Sequence, residues 1–536
     1  MTAGGAPATI GVAGAGTMGA GIAQLSCLSG ARTLLHDPVP EALERGLERI
    51  REQLERGARR GRWSEEVAAA AIGRLESAAG LEALAPCELV IEAAPERLEL
   101  KRALFAELAD GIVSEECVLA TNTSSLLVTA VAHGIPRPER VVGMHFFNPP
   151  PVMRALEVVA GEQSGEGALA LARAAGEAMG REVIDAHDGP GFLVNRCNRP
   201  FGLEALKLLQ EGVASVAEID RICRLGGGFK MGPFELMDLV GVDVGLEVAR
   251  SFYEQSFGEP RWRPSPIAAR TVAAGRLGRK CGRGYYDYSA GTDAYREADP
   301  EPPAAGGGDG VVVIAGESPL AVELAEAAED AGWQVLGPEE AAGAPAPFLI
   351  LDLLGGESPG VPLQGGPQAI CCAAGSLAAL DPGGGAVGFH ALPPLSESRL
   401  VELTRGPESA VSAASASERF FATLGKHTAW VGDAPGLVLG RIVGQTVNEA
   451  SFALSEGVGS AEDIDAGFRH GLNYPRGLLA WADRIGLDQV LALLDGLSDE
   501  HREERYRAAP ALRHLVWSGR LGRQTGAGFF GYEDET

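Results

Sequence analysis

The most constraining feature of this 536-residue sequence is an internal repeat. A shift of 245 positions carries His145 onto His390 and Glu157 onto Glu402. The same shift aligns a longer set of identical residues without a gap: Gly143, Pro190, Gly191, Arg196, Glu204, Ala205, Ile219, Asp220, Asp238, Gly241 and Asp243 fall on Gly388, Pro435, Gly436, Arg441, Glu449, Ala450, Ile464, Asp465, Asp483, Gly486 and Asp488. The chain should therefore fold twice into one architecture.

Each copy opens with apolar strands that alternate with helices and closes with segments of helical period. This order predicts an α/β portion followed by an all-α portion. A stretch rich in Pro, Gly and acidic residues separates the copies and is typical of a linker. The expected domains are an α/β domain at 1–187, a helical domain at 188–288, a linker at 289–310, a degenerate α/β domain at 311–432 and a second helical domain at 433–536.

The charge and the cysteines exclude several classes of protein. There are 46 basic and 72 acidic residues, for a net charge of −26, which opposes binding to nucleic acid or to an anionic membrane. Neither a membrane span nor a signal peptide is predicted. The eight Cys are scattered without a Cys-x-x-Cys pair, so no metal site or disulfide framework is expected and a cytoplasmic location is favoured.

The segment Gly14-Ala15-Gly16-Thr17-Met18-Gly19 has the context of a dinucleotide site. It follows an apolar strand, it opens a helix that stops at Gly30, and Asp37 ends the next strand. The glycines permit close approach of a pyrophosphate, and the helix N-terminus supplies free N–H groups. Asp37 can accept from a ribose 2′-hydroxyl and would repel a 2′-phosphate, which favours NAD over NADP. A tight turn without a ligand is the alternative.

His145 and Glu157 form a candidate acid–base pair. Histidine is the usual proton acceptor at neutral pH, and a carboxylate on its second ring nitrogen would fix the tautomer. Glu157 stands between apolar neighbours, where a carboxylate is costly unless it has a partner. A histidine satisfied within the core is the alternative.

Two further polar positions follow strands or begin helices. Ser124 lies in Thr121-Asn122-Thr123-Ser124-Ser125, where open α/β sheets bind ligands. Asn195 lies where the helical portion begins, and domain junctions often form clefts. Taken singly, the first is also a polar turn and the second a helix cap or a surface residue.

In this order the motifs resemble the L-3-hydroxyacyl-CoA dehydrogenase family. Further matching segments are 145–153, 189–196, 231–243 and 278–288. The resemblance covers residues 8–288 and the second helical domain. It implies a Rossmann-type NAD-binding domain followed by a helical domain, and oxidation of an L-3-hydroxyacyl-CoA to a 3-ketoacyl-CoA by hydride transfer to NAD. It also implies a place in fatty acid metabolism, in the manner of β-oxidation.

The resemblance implies roles for individual residues. His145 would accept the proton of the 3-hydroxyl, Glu157 would orient it, and Ser124 and Asn195 would hydrogen-bond the reacting oxygen region. Cofactor contacts are implied for Gly14, Gly16, Thr17, Met18, Gly19, Asp37, Glu96, Lys101, Asn148 and Lys280.

The segment 41–84, expected to be a charged helical hairpin, matches the element that contacts CoA in the family. It carries Arg56, Arg59, Arg60 and Arg62, a local basic cluster that suits the phosphates of CoA. Ser124 is also implied on the substrate side. A solvated helix end is the alternative reading of the arginines.

The segments 473–481 and 504–507 resemble the long duplicated branch of the family from phenylacetate degradation, whose members oxidise 3-hydroxyadipyl-CoA. A short substrate such as 3-hydroxybutyryl-CoA is the alternative. Single-copy members dimerise through the helical domain, which implies an internal pseudo-dimer here, alone or paired again as a homodimer. No hydratase-like segment is present, so any enoyl-CoA hydratase would be a separate partner.

The second copy keeps His390 and Glu402 but loses other positions. The loop glycines become Gly316, Ser318 and Ala321, Asp37 aligns with Glu339, Asn195 becomes Gly440 and Lys280 becomes Gln524. The charged hairpin has no counterpart. The second α/β domain is therefore expected to be non-catalytic.

Three other functions fit parts of the pattern. One is a dehydrogenase of a free hydroxy acid or sugar acid, against which the arginine-bearing hairpin argues. Another is a dinucleotide-binding protein without activity, against which the complete set in the first copy argues. The third is the dehydrogenase part of a multifunctional β-oxidation protein.

Overall fold

A computed structural model describes residues 5–292, 294–341, 346–355 and 365–532. The chain divides into two compact units. The first holds the described residues up to Arg196 together with Glu456–Leu472, and the second holds the rest, from Cys197 to Ser455 and from Asn473 onward. Within the described ranges, no helix is both long enough and apolar enough to cross a membrane.

A sheet forms the centre of the first unit. Its strands, as far as the chain is described, are β1 Thr9–Ala13, β2 Arg32–His36, β3 Leu75–Ala78, β4 Leu89–Glu92, β5 Val118–Thr121, β6 Val141–Phe146, β7 Ala155–Ala160 and β8 Glu182–His187. Their spatial order is β3-β2-β1-β4-β5-β6-β7-β8, and neighbours are parallel except β6 and β7. The order reverses beside β1, which is where doubly wound sheets bind dinucleotides. The expected Rossmann-type sheet is confirmed.

Helices cover this sheet. They are α1 Thr17–Ser29, α2 Pro40–Arg59, α3 Glu65–Gly73, α4 Leu98–Glu107, α5 Val128–Ala132, α6 Glu166–Ala178 and the short α7 Val194–Cys197. The expectation of a helical hairpin over 41–84 was wrong at its end, because the α-helices stop at Gly73 and a strand and a single 3₁₀ turn, Leu81–Leu84, follow. Leu75 and Ala78 are buried, and their strand β3 pairs in parallel with β2.

The first helical portion belongs to the second unit. It contains α8 Arg199–Glu211, α9 Val216–Gly227, α10 Pro233–Val240, α11 Val242–Gln255 and α12 Pro266–Ala273. Asp238 fastens its closing loop by accepting 2.9 Å hydrogen bonds from the backbone N–H groups of Tyr285 and Tyr286. Asp483 does the same for Phe529 and Phe530, so this part of the repeat preserves a structural contact.

The second unit also holds a second sheet. Its described strands are β9 Val311–Ala315, β10 Gln334–Leu336, β11 Leu349–Asp352, β12 Gln368–Cys371, β13 Val387–His390, β14 Leu400–Arg405 and β15 His427–Trp430. Their order, β10-β9-β11-β12-β13-β14-β15, repeats the first sheet without an equivalent of β3 among the described residues. The antiparallel pair recurs as β13 and β14. The repeated architecture is thus confirmed.

The remaining helices are α13 Pro319–Asp330, α14 Leu377–Leu380, α15 Val411–Thr423, α16 Leu439–Ser455, α17 Ala461–Gly471, α18 Leu478–Ile485, α19 Leu487–His501 and α20 Pro510–Trp517. The expected helical domain 433–536 is not one compact body, because α17 packs on β7 and β8 in the first unit. The backbone N–H of Arg154 donates to the carbonyl of His470 at 3.1 Å. In the second unit, α9 packs in the same way on β14.

The segment expected as a linker, 289–310, contains no helix or strand in its described part, which omits Asp293. It is nevertheless fastened to the first helical portion. The Asp299 carboxylate pairs with Arg224 at 2.8 Å, and the Tyr295 hydroxyl donates to Glu235 at 3.0 Å.

Ion pairs between the two copies come in reciprocal sets. In the second unit, Arg441 pairs with Glu211 at 2.6 Å; in the first unit, Arg196 pairs with Glu456 at 2.8 Å. These two pairs exchange places under the 245-residue shift. Arg261–Glu449 and Arg505–Glu204 form a similar set within the second unit, in which the glutamates are 245 positions apart and the arginines 244. Reciprocal contacts of this kind are the mark of a two-fold interface.

Candidate active site

The glycine loop of the first unit leaves room for a phosphate-bearing ligand. A Cβ on Gly14 would lie 2.6 Å from the carbonyl oxygen of Ala93, and one on Gly19 would lie 1.8 Å from the carbonyl oxygen of Gly14. Glycine at these two positions lets the loop close against β4. Gly16 caps α1 without a side-chain hydrogen bond, and a Cβ there would meet nothing within 4 Å. The helix N-terminus is therefore open to an anion.

Asp37 lies at the end of β2, beside this loop. Its Oδ2 accepts from the Ala15 N–H at 2.8 Å and its Oδ1 from the Val39 N–H at 3.0 Å. These bonds hold a half-buried carboxylate where a ribose hydroxyl would lie. The loop and this carboxylate fit NAD, which Thr17 and Met18 would meet at the first turn of α1.

His145 and Glu157 lie directly opposite each other on the antiparallel strands β6 and β7. The distance from His145 Nδ1 to Glu157 Oε2 is 2.6 Å. Glu157 is fully buried, and its Oε1 accepts from the Leu193 and Val194 N–H groups at 3.1 and 2.8 Å. Two backbone donors and one imidazole thus hold this carboxylate in place.

The contact assigns the histidine tautomer. An ionised carboxylate only accepts, so His145 Nδ1 carries the hydrogen and donates it to Glu157. The lone pair then lies on Nε2, which can accept a proton. The rings of Phe147 and Phe192 lie 4.8 and 5.7 Å from the imidazole, and only 6% of His145 is exposed.

Glu96 organises the turn that carries Ser124. Its Oε1 accepts from the Thr123 hydroxyl at 2.6 Å and from the Ser124 N–H at 3.0 Å. Burial raises the pKa of Glu96, but the Lys101 ammonium and these hydrogen bonds outweigh it, so the pKa is lowered overall. The Ser124 side chain is left exposed.

Lys101, which the resemblance implies as a cofactor contact, lies in the interior of the first unit. It is fully buried, and its ammonium lies 2.7 Å from Glu92 and 3.3 Å from Glu96. Glu92 was not among the predicted residues, although its place at the end of an apolar strand was a signal. Lys101 therefore pairs with the same carboxylate, Glu96, that accepts from the Ser124 N–H.

The other predicted residues are less tightly held. Asn195 lies half-buried on α7, one residue after a backbone donor to Glu157, and Asn148 is exposed after β6. Lys280 belongs to the second unit, where it pairs with Asp243 at 2.6 Å.

A cavity of about 250 Å³ lies between α1, α2 and the loop after β6. Arg56 and Arg60, two of the arginines implied in CoA binding, line it together with Arg49 and Arg62. Arg59 does not line this cavity and lies 3.7 Å from Glu55. The arrangement offers guanidinium groups to phosphates.

The corresponding place in the second unit is built differently. His390 and Glu402 lie opposite each other on β13 and β14, but both Glu402 oxygens accept from backbone N–H groups, at 2.7 and 3.0 Å. His390 Nδ1 has no partner among the described residues. Burial lowers the pKa of His390 to about 4 and raises the pKa of Glu402 to about 8.

Comparison with known families also distinguishes the two α/β portions of the chain. Residues 9–189 match the NAD binding domain of 3-hydroxyacyl-CoA dehydrogenase. Residues 191–288 and 436–532 each match its C-terminal domain. The second sheet lies outside the matched ranges.

Individual proteins resemble the chain over its full length or over the first copy. The 3-hydroxyadipyl-CoA dehydrogenase of Escherichia coli is 35% identical over 95% of this chain and 98% of its own. A probable 3-hydroxybutyryl-CoA dehydrogenase of Bacillus subtilis is 40% identical over 52% of this chain and 97% of its own. A crystal structure of 3-hydroxybutyryl-CoA dehydrogenase from Escherichia coli superimposes with a TM-score of 0.77 at 34% identity, over 96% of this chain and 99% of that one.

Proposed function

The chain belongs to the 3-hydroxyacyl-CoA dehydrogenase family, and we propose that it oxidises the 3-hydroxyl of an L-3-hydroxyacyl-CoA to a ketone with NAD as the acceptor. The observation that carries the proposal is the buried His145–Glu157 contact in the unit that also holds the open glycine loop. A proton acceptor and a dinucleotide cradle are the two parts that this oxidation requires.

The protein residues handle the proton. NAD, when bound, takes the hydride that leaves C3. His145 Nε2 accepts the hydroxyl proton, and the resulting imidazolium is stabilised by Glu157 across the 2.6 Å contact. Because Glu157 is also held by two backbone N–H groups, the imidazole keeps one orientation through the step. Ser124 and Asn195 hydrogen-bond the reacting oxygen.

Cofactor choice and substrate choice use different residues. Asp37 favours the ribose hydroxyl of NAD over the phosphate of NADP. Glu96, held by Lys101, fixes the turn of Ser124. Asn148 and Lys280 are proposed as further cofactor contacts. Arg56 and Arg60, with Arg49 and Arg62 as neighbours, bind phosphates of CoA, while Arg59 contributes charge only.

We infer 3-hydroxyadipyl-CoA as the substrate, supported by the Escherichia coli protein of that name, which matches 95% of the chain; 3-hydroxybutyryl-CoA is the alternative, since a crystal structure with that substrate in its name covers 96% of the chain. The single-copy relatives named for 3-hydroxybutyryl-CoA match 52% of it. The reciprocal ion pairs support an internal pseudo-dimer that replaces a dimer of two chains. A cytoplasmic location and a separate hydratase partner complete the proposal.

Absorbance of NADH tests it. The purified protein is assayed with acetoacetyl-CoA and NADH or NADPH, and with a dicarboxylic 3-hydroxyacyl-CoA and NAD or NADP. Turnover only with NAD(H), fastest on the dicarboxylic substrate, is expected. Turnover on acetoacetyl-CoA alone would retain the reaction and reject the substrate. Absence of turnover on both would reject the reaction.

A further inference from the structure

A buried carboxylate at the end of β4 has no part in the roles assigned so far. Glu92 is fully buried, and strand pairing places it between Ala13, the last residue of β1, and Thr121, the last residue of β5. It therefore lies between the glycine loop, which follows β1, and the turn of Ser124, which follows β5. A carboxylate in such a place is costly unless donors surround it.

Four hydrogen bonds from three segments converge on Glu92. Its Oε1 accepts from the Ala94 N–H at 2.6 Å and from the Lys101 ammonium at 2.7 Å. Its Oε2 accepts from the Thr121 hydroxyl at 2.6 Å and from the same ammonium at 3.0 Å. The donors belong to the turn after β4, to α4 and to the end of β5. One side chain thus connects three separate segments.

Two of these donors lead to the turn that carries Ser124. Lys101 lies 3.3 Å from the Glu96 carboxylate, which accepts from the Ser124 N–H at 3.0 Å. Thr121 is the residue at which β5 ends and this turn begins. Glu92 therefore contacts the turn at its start through Thr121, and reaches its middle through Lys101 and Glu96.

The end of β5 is also connected to the strand that carries His145. Asn122 directly follows Thr121, and its Oδ1 accepts from the Phe146 N–H at 2.9 Å. Phe146 directly follows His145 on β6. A displacement at Thr121 would therefore be transmitted to His145 as well as to Ser124.

We propose that Glu92 is a positioning residue for the dehydrogenase reaction, and that it acts through Thr121 and Lys101 on the turn of Ser124. It contacts neither the substrate nor the cofactor in this role. The inference rests on the proposed function, because the position of Ser124 affects turnover only if that reaction takes place beside it. Small misplacements of groups around a reacting centre cost large factors in rate, so release of this turn should lower kcat.

The second copy keeps only one of these contacts. Asp352 ends β11 in the same register as Glu92, and its Oδ1 accepts from the Leu354 N–H at 2.9 Å. Glu92 makes the same bond to the backbone two residues further on. Ile370 stands opposite Asp352 where Thr121 stands opposite Glu92, and among the described residues no side chain donates to Asp352. The copy that is expected to be non-catalytic thus retains the backbone bond alone.

Reduction of acetoacetyl-CoA by NADH tests the proposal, with kcat expressed per NADH-binding site so that only folded protein is counted. Glu92→Gln should lower kcat by about tenfold or more and leave the KM for acetoacetyl-CoA within about threefold. The KM is spared because the arginine-lined cavity shares no lining residue with this network. Asp352→Asn removes the matching charge in the second copy and should leave kcat unchanged.

A second pair of variants decides the matter if Glu92→Gln does not fold. Thr121→Val removes the donated hydroxyl hydrogen at nearly constant volume, and Thr121→Ser retains it. Thr121→Val should lower kcat by about threefold or more, whereas Thr121→Ser should retain it within about twofold. If packing alone mattered, Thr121→Ser would be the more damaging change, because it lacks the buried methyl group. Equal kcat values in the two variants, or a lower value in Thr121→Ser, overturn the proposal.

Amide hydrogen exchange of the turn gives a readout that needs no substrate. Glu92→Gln, or Thr121→Val in its place, should speed exchange at the Ser124 and Ser125 amides by about tenfold, and Asp352→Asn should not. Unchanged exchange overturns the proposal, and so does a kcat per site in Glu92→Gln within about twofold of the parent. Faster exchange in a chain whose parent reduces no acyl-CoA would show that Glu92 holds the turn and that the proposed function is wrong.

Discussion

The two copies place a histidine opposite a glutamate at the same strand register, yet only the first pair is hydrogen-bonded. In the first copy, Glu157 divides its oxygens between His145 and two backbone donors. In the second, both oxygens of Glu402 go to the backbone. The neighbouring position explains the difference, because the His390 ring lies where the side chain of an asparagine at Gly440 would begin. The same spacing therefore preserves the pairing of the two strands, but it does not preserve the hydrogen bond between the histidine and the glutamate.

The largest expected contrast is in turnover. His145→Gln should lower kcat by about 10²-fold or more, since loss of a general base usually costs that much. His390→Gln should leave kcat within about twofold, because among the described residues His390 Nδ1 has no carboxylate partner and Ser318 caps the nearby helix N-terminus. Steady-state NADH assays on both variants measure the contrast. Activity that survives the first change and is lost with the second would reverse the assignment of the copies.

Removal of the two reciprocal ion pairs, Arg441–Glu211 and Arg196–Glu456, should lower the free energy of unfolding by different amounts. Arg441 is fully buried and pairs with the buried Glu204 and with the partly exposed Glu211. Arg441→Met removes one of the two guanidinium partners of Glu204, the other being Arg505, and should cost roughly 3 kcal/mol. Its counterpart Arg196 pairs with Glu456, whose side chain is 48% exposed and can be solvated by water. Arg196→Met should therefore cost about 1 kcal/mol or less. Urea unfolding of both variants tests this, and equal losses would contradict it.

Substitutions in the two loops that follow the first strand of each copy should affect NAD binding differently. Gly19→Ala puts a Cβ 1.8 Å from the Gly14 carbonyl oxygen, which displaces the loop and should raise the Kd for NAD by about tenfold or more. The reverse change, Ala321→Gly, should create no NAD binding, because Pro319 and Ser318 still close the helix N-terminus. Fluorescence titration with NADH compares the two. Unchanged affinity in Gly19→Ala would show that the loop is not the cofactor site.

The smallest contrast is in pH dependence. Burial raises the pKa of Glu402 to about 8 in the folded chain, above its unfolded value, so its contribution to stability is present at low pH and is lost as pH rises toward 8. Glu402→Gln removes this titration. Between pH 5 and 8 the variant should lose less stability than the parent by at least about 1 kcal/mol. Urea unfolding at several pH values measures the difference, with Glu329→Gln, at an exposed glutamate, as the control variant. If the stability of the parent and of Glu402→Gln changed with pH in the same way, the raised pKa of Glu402 would be contradicted.

Much of the fold followed from local patterns. The alternation of apolar strands and helices predicted both sheets, and the glycine loop with Asp37 predicted the nucleotide edge. The strand β3 was missed because Leu75 and Ala78 give too short an apolar pattern within a charged segment. The sequence also did not predict that α17 leaves the rest of 433–536 and packs on the first sheet. That choice depends on tertiary packing, which a local pattern does not reveal.

Site contacts were predictable where they follow from the pairing of two strands. They were less predictable where they depend on the size of a neighbouring side chain. His145 and Glu157 were expected together, and they are. The loss of the corresponding contact at His390 depends on a missing side chain at Gly440, which spacing does not reveal. The burial of Lys101 depends on Glu92, a residue that no motif marked.

We expect one copy to retain a dinucleotide site and the other to have lost it. Calorimetric titration of the full chain with NAD tests this most directly, because it counts sites without requiring a substrate. The structure predicts one NAD per chain, and it predicts that Gly19→Ala weakens that single site. Two NAD per chain, or one site that persists unchanged in Gly19→Ala, would show that the first glycine loop is not the single dinucleotide site.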